Sequence, residues 1–189
     1  MKSLSILIPI YNEEESLQAL FDELKFSFEN NQSIEIIFIN DGSSDMSQKV
    51  IENEIANHST WKLINLYRNY GKSVALQSGI DIASNELIAT LDGDLQDDPK
   101  ELISLVRVLN EDDVIVGWKK DRLDPLEKKI ASKIFNFFIK LFSGLKIKDS
   151  NSGIKVLKKE VAKSLNIYGG RHRYIPLLAH QKSFNVKEI

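Results

Sequence analysis

The chain has 189 residues, 42% hydrophobic and 28% charged, a composition that fits one globular domain with a sizeable buried core. Its formal net charge of −2 gives no bulk attraction to nucleic acid, and none is expected as a partner. The absence of cysteine removes disulfides, thiolate metal sites and a cysteine nucleophile, and suits a reducing compartment.

The apolar run before Pro9 is too short for a signal peptide, and no segment reaches the ~20 apolar residues of a membrane span, so a soluble chain is expected. Leu4 to Ile10 reads as a buried strand. Glu14 to Phe28 reads as a helix with Leu17, Leu20, Phe21, Leu24 and Phe28 at helical spacing. A strand is predicted over Ile34 to Ile39, then a helix over Ser44 to Ile55 opened by Ser43-Ser44-Asp45. Leu63 to Leu66, Glu86 to Leu91 and Val114 to Val116 read as further strands, alternating with helices over Lys72 to Ala83 and Glu101 to Leu109. Repeated β-α units with continuously apolar strands imply an α/β fold, a mainly parallel sheet covered by helices on both faces.

After Gly117 the chain turns basic. Residues 118–148 hold nine Lys or Arg against three acids, net +6, which leaves −8 on the remainder. Leu126 to Phe142 reads as a helix with a wide apolar face and lysines elsewhere, suited either to a core or to an anionic lipid interface. A short strand at Ile154 to Leu157, a turn at Tyr168-Gly169-Gly170, a helix near Tyr174 to His180 and a strand at Phe184 to Ile189 complete the pattern.

The chemistry is concentrated where strands end. Asp92-Gly93-Asp94-Leu95-Gln96-Asp97-Asp98-Pro99 follows an apolar strand, and Asp92 and Asp94, two apart, would share a face in extended backbone. Two hard oxygen donors there suit Mg²⁺ or Mn²⁺, although the same residues would serve as a solvated loop capping the next helix. Asn40-Asp41-Gly42-Ser43-Ser44-Asp45 ends a second strand, with Asp41 able to accept hydrogen bonds from a ribose or base, or simply to form a turn and cap. Tyr11 and Glu13 lie in a third such loop. Arg68-Asn69-Tyr70-Gly71-Lys72 forms a fourth, whose cations and helix N-terminus could face a diphosphate.

These four loops, with Gly117-Trp118-Lys119-Lys120-Asp121-Arg122 and Asp149-Ser150-Asn151-Ser152-Gly153-Ile154-Lys155 downstream, resemble the family 2 glycosyltransferases of GT-A fold. Within that family the chain looks most like the polyprenyl-phosphate branch, which includes dolichol-phosphate mannosyltransferases. The resemblance implies a single catalytic domain over residues 1–189, with a donor part over 1–117 and an acceptor part over 118–189. It implies a nucleotide-sugar donor of the UDP or GDP class, a polyprenyl (undecaprenyl or dolichyl) phosphate acceptor, and inverting transfer at the inner, cytoplasmic face of the membrane. Pro9, Tyr11, Glu13, Asp41, Lys72 and Asp92 would bind the donor nucleotide. Asp94, Gln96 and Asp92 would hold Mg²⁺ or Mn²⁺, Lys119, Arg122, Arg171 and Arg173 the acceptor phosphate, and Asp92, Asp94 and Asp149 would be the catalytic acids. The branch commonly has arginine at the Lys119 position, so that phosphate contact would be a point charge instead of a bidentate fork. The branch also commonly continues into membrane helices beyond the position of Ile189, so either a truncated or a peripheral protein is expected.

Among other classes, a dinucleotide-dependent dehydrogenase would need Gly-x-Gly-x-x-Gly after the first strand, and Pro9-Ile10-Tyr11-Asn12-Glu13 has none. A P-loop is absent too. A sugar-1-phosphate nucleotidyltransferase, a transferase with a saccharide acceptor and a silent scaffold of the same fold remain as alternatives.

Overall fold

The computed structural model describes residues 2–28, 31, 33–109, 111–118, 144–145, 147 and 152–189. Lys119, Arg122 and Asp149, and the basic helix expected over Leu126 to Phe142, lie outside them.

Seven described strands form one sheet: β1 (Leu4–Ile10), β2 (Ile34–Asn40), β3 (Trp61–Asn65), β4 (Leu87–Thr90), β5 (Val114–Val116), β6 (Lys155–Lys158) and β7 (Val186–Glu188). Their order across the sheet is β3-β2-β1-β4-β6-β5-β7. β1, β2, β3 and β4 are parallel, as the apolar runs predict, and β6 enters antiparallel between β4 and β5. The helices are α1 (Leu17–Phe28), α2 (Ser47–Ile55), α3 (Lys72–Ile82), α4 (Pro99–Val108), α5 (Lys159–Ser164) and α6 (Ile175–Gln181), with a 3₁₀ turn at Arg171–Tyr174.

The alternation within β1 builds two cores. Leu4, Ile6, Ile8 and Ile10 pack with Ile36 and Phe38 against the buried stripes of α1 and α4, while Leu7 joins Ile37 and Ile39 beneath Ala75, Leu76 and Ile80 of α3. Phe21 of α1 meets Phe38 edge-to-face at 5.6 Å, so the helix is pinned by an aromatic contact as well as by aliphatic burial.

The differences from the sequence expectation are local and have causes. α2 begins at Ser47, three residues late, because the polar atoms of Ser43, Ser44 and Asp45 bond across to the loop after β1. Asn12 N donates to Ser43 Oγ (3.0 Å), Ser44 N to Asn12 Oδ1 (2.8 Å) and Glu14 N to Asp45 Oδ2 (3.2 Å). α1 likewise starts at Leu17, since Glu14 is held in this lacing through Met46 N at 2.7 Å. α4 starts at Pro99, with Asp98 as its N-cap accepting from Lys100 N at 2.9 Å. That acid is therefore a cap. α5 has no counterpart among the elements expected from the sequence. None of the described helices is long and apolar enough to cross a membrane.

The direction of β6 brings the later part of the chain to the carboxyl edge of the parallel strands. Its first residue, Lys155, pairs with both Thr90 and Val116, the last residues of β4 and β5. An antiparallel strand thus starts at the edge where the parallel strands finish, and the chain leaving β5 returns to that same edge.

Candidate active site at the carboxyl edge

An open cleft of about 300 Å³ lies at this edge, lined by the loops after β1, β3 and β4 and by Asp41 after β2. Pro9, Tyr11, Glu13, Asp41, Lys72, Asp92 and Asp94, all singled out in the sequence, line it together with Asn69 and Gly71. Carboxyl ends of parallel strands favour such a site because the loops diverge there and the next helices point their positive ends inward.

Asp41 is buried, and its carboxylate is a clamp. Oδ1 accepts from Tyr70 N and Oδ2 from Gly71 N, each at 2.8 Å, fixing the turn that delivers Lys72. Each oxygen keeps a second lone pair toward the cleft. Gly42, at φ +68, lets this happen: a Cβ there would stand 2.3 Å from the Arg68 carbonyl carbon. Tyr11 is exposed, and Glu13 accepts from Ser16 Oγ at 2.8 Å.

At the end of β4, Asp92 Oδ1 pairs with Lys72 Nζ at 2.5 Å. Asp94 is exposed and accepts from Gln96 N at 3.1 Å, a tight local turn with Leu95 at φ +60. Below them the strand end is polar and closed. Thr90, Asp97, Ser152 and Lys155 are all buried, Thr90 Oγ1 donates to Gly153 O at 2.7 Å, and Lys155 Nζ donates to Ser152 O. A Cβ on Gly153 would meet Asp97 Oδ2 at 2.3 Å and Asp92 Oδ2 at 3.2 Å, so this glycine lets the 152–154 segment press against both acids. The sequence alone assigns no place in the site to Asp97, Ser152 or Lys155; the available signal is a lysine and a threonine at the ends of otherwise apolar strands.

Arg171 and Arg173 sit on the 3₁₀ turn, with the Arg171 guanidinium stacked 4.4 Å from the Tyr168 ring centroid and Arg173 exposed. The turn is fastened to α3. His172 N donates to Ser73 Oγ at 3.1 Å, and Ser73 Oγ lies 2.9 Å from His172 Nδ1. Burial, then the positive charges of Lys72, Arg173 and Lys155, push the His172 imidazolium down to about 4 against the opposing pull of Asp92. The tie between Ser73 and His172, 99 residues apart, is not marked by the sequence.

The Glycosyl transferase family 2 model matches residues 5–165. A dodecaprenyl-phosphate galacturonate synthase of Rhizobium johnstonii is 36% identical over 178 residues, covering 92% of this chain and 53% of that protein. An undecaprenyl-phosphate 4-deoxy-4-formamido-L-arabinose transferase of Yersinia pestis is 35% identical over 194 residues, covering 100% of this chain and 59% of the relative. The chain thus spans little more than half the length of these relatives. In architecture it is similar to a mannosyltransferase of Pyrobaculum calidifontis solved with GDP-Man and Mn²⁺, at TM-score 0.75 and 13% identity, over 100% of this chain and 55% of that one. It is also similar to glucosyl-3-phosphoglycerate synthase of Mycobacterium tuberculosis in complex with Mn²⁺, UDP and phosphoglyceric acid, at TM-score 0.75 and 15% identity, over 99% and 68%. These neighbours share the GT-A fold. With the family model running from β1 into α5 and the fold agreeing over the whole chain, the chain belongs to glycosyl transferase family 2.

Proposed function

We propose that the chain is the sugar-transferring domain of a polyprenyl-phosphate glycosyltransferase, with a nucleotide-diphosphate sugar as donor. The observation that carries this reading is the convergence of Asp41, Lys72, Asp92 and Asp94 in one cleft beside a basic turn. The two relatives are both named for a polyprenyl phosphate, which supports that acceptor class. Residues 1–117 form the donor part. Pro9, Tyr11, Glu13 and Asp41 surround the nucleoside, and Lys72 with the positive end of α3 faces the diphosphate.

Asp92, Asp94 and Gln96 would hold a divalent cation, Mg²⁺ or Mn²⁺. The donor set fits, since Asp92 and Asp94 line the cleft with hard carboxylate oxygens and Gln96 follows two residues on in the same turn. No cluster of three or more His, Cys, Asp or Glu able to hold a metal ion occurs among the described residues. Water and diphosphate oxygens would therefore complete the shell, the arrangement these ions favour. Such an ion neutralises the leaving diphosphate. The Lys72–Asp92 pair places both groups before donor arrives, and the lysine can follow the developing negative charge as the C1–O bond breaks.

The acceptor part, residues 118–189, supplies the site for the phosphate nucleophile. Lys119 follows Trp118 in sequence, and Asp149 precedes Ser152 by three residues. With Arg122, Arg171 and Arg173, Lys119 would hold the lipid phosphate, and Asp149 would be the acceptor-side acid. One acceptor phosphate oxygen bonds to C1 as the bond to the diphosphate breaks, inverting that carbon. A phosphate is already anionic at neutral pH, so positioning and charge stabilisation carry the reaction more than base catalysis. The acceptor would place the domain at a membrane surface.

Calorimetric titration with UDP, GDP and ADP, in Mn²⁺ or in EDTA, tests the donor half. One nucleotide is expected to bind only with metal, and Asp94→Ala to weaken it by about a hundredfold or more while the far-ultraviolet spectrum stays unchanged. Metal-independent binding, or full transfer by the variant, overturns the assignment. Transfer that requires polyprenyl phosphate and ignores soluble glycans selects the acceptor; the reverse result discards it.

A further inference from the structure

We propose that Ser73 and His172 are positioning residues forming a latch that docks the basic turn bearing Arg171 and Arg173 against the N-terminus of α3, so that the acceptor arginines are set from the donor side of the cleft. This rests on the acceptor reading of the two arginines and adds how they are held.

The turn follows Gly169 and Gly170, both at positive φ (+50 and +84), and the loop ahead of it is joined to α3 where Ile167 N donates to Gln77 Oε1 at 3.0 Å. Arg173 is exposed, and Arg171 is stacked on Tyr168 of the same loop, so neither anchors the loop to another element. Ser73 does. It is buried in the first turn of α3, one residue after Lys72, and is bonded twice to one residue of the turn, at its backbone N–H and at its ring. A serine hydroxyl has one proton to give and two lone pairs. Oγ receives the His172 N–H, and in the neutral Nε2–H tautomer its own proton goes to Nδ1, so that one hydroxyl both accepts from and donates to His172. The groups facing the ring, Lys72, Arg173 and Lys155 with Asp92 opposing, together with burial, keep it neutral across the physiological range. A protonated Nδ1 would lose this acceptor. The ring therefore joins two cationic elements, Lys72 on α3 and the arginine turn, without adding a third positive charge between them.

The latch ties the acceptor turn to the helix whose first residue pairs with Asp92, so breaking it should loosen the acceptor side and leave the donor pocket formed. In Ser73→Ala the KM for polyprenyl phosphate should rise about tenfold while nucleotide affinity stays within about twofold, the signature of one lost cross-element hydrogen-bonded tie. His172→Leu should match it. Ser73→Thr keeps the hydroxyl, and His172→Asn places an amide oxygen where Nδ1 stands, so both should restore the acceptor KM to within about threefold of wild type. Hydrogen exchange provides a readout independent of turnover. Amides of 168–174 should exchange about tenfold faster in Ser73→Ala, with the rest of α3 unchanged and Ser73→Thr rescuing. An unchanged acceptor KM with unchanged exchange overturns the latch, as does equal loss of donor and acceptor affinity. If wild type turns over no polyprenyl phosphate at all, the acceptor reading fails, and the exchange experiment still decides whether the turn is latched.

Discussion

On the proposed reading Asp41 does two jobs with one carboxylate, and the first is structural. Its oxygens hold Tyr70 N and Gly71 N, so a change there moves the Lys72 loop before any nucleotide contact is lost. In Asp41→Asn the amide nitrogen faces an N–H it cannot accept from, leaving one part-buried donor without its carboxylate, which costs about 1 kcal/mol. Urea unfolding should register that loss, and calorimetry should register a weaker nucleotide even where substrate chemistry is untouched. Gly42→Ala separates the two roles. The carboxylate survives, but the new Cβ would lie 2.5 Å from the Arg68 Cα at a φ that only glycine adopts readily. A similar destabilisation with the same drop in nucleotide affinity is expected. If Gly42→Ala binds nucleotide as wild type does, the loop tolerates displacement and Asp41 acts by direct contact alone.

At the scale of elements, the opposite end of the sheet carries a different carboxylate with a purely structural task. Glu35, buried on β2, accepts from Ser5 Oγ of β1 (2.5 Å), from Lys62 Nζ of β3, and from Ser84 N and Oγ in the turn before β4 (3.1 and 2.9 Å). Burial pushes its carboxyl up, but the bonds from Lys62, Ser5 and Ser84 outweigh it and hold the group down at about 2. A carboxylate held below its unfolded value contributes stability that is complete above the unfolded pKa of 4.5 and is lost as pH falls toward 2. The contribution at neutral pH is on the order of 3 kcal/mol. The urea midpoint of the wild type should therefore fall between pH 4.5 and pH 2, and that of Glu35→Gln should start lower and change less. Parallel slopes would mean that other carboxylates govern acid unfolding.

The same scale explains what sequence can convey. Apolar runs such as Ile34-Glu35-Ile36-Ile37-Phe38-Ile39 announce strands because the sheet buries both faces, and Leu17, Leu20, Phe21 and Leu24 announce α1 because a helix buries one stripe. α5 is not legible: six residues, Lys-Glu-Val-Ala-Lys-Ser, are too short and too polar to show a period. The start of α2 differs from its sequence signal because Ser43, Ser44 and Asp45, good caps by type, bond across to Asn12 and Glu14. Strand direction is carried by no residue, so the antiparallel entry of β6 cannot be read. The cleft residues are legible as strand-end acids; the Ser73–His172 tie, between a helix and a distant turn, is not.

On the whole molecule, the charge is divided in a way the fold makes useful. The −8 body ends its strands in acids at the carboxyl edge, and the +6 stretch of residues 118–148 stands in sequence between the end of β5 and the start of β6. Where the chain leaves β5, Gly117 N donates to Ile154 O at 3.1 Å and Trp118 N to Ile189 O at 2.7 Å. Near-zero net charge thus conceals a strong division of charge along the chain. If the acceptor is a membrane lipid, partition onto vesicles containing anionic phospholipid should be measurable and should fall steeply as salt is raised, since the screening length drops from ~10 Å at 0.1 M toward ~3 Å at 1 M. Replacing Lys128 and Lys129 together by glutamate removes two cations worth about 1 kcal/mol each near such a surface, so partition should fall by about thirtyfold or more. Neutral vesicles supply the control. Equal partition of wild type and variant onto anionic vesicles would show that these lysines face away from lipid, and the acceptor would then have to reach the cleft through Arg171 and Arg173 alone.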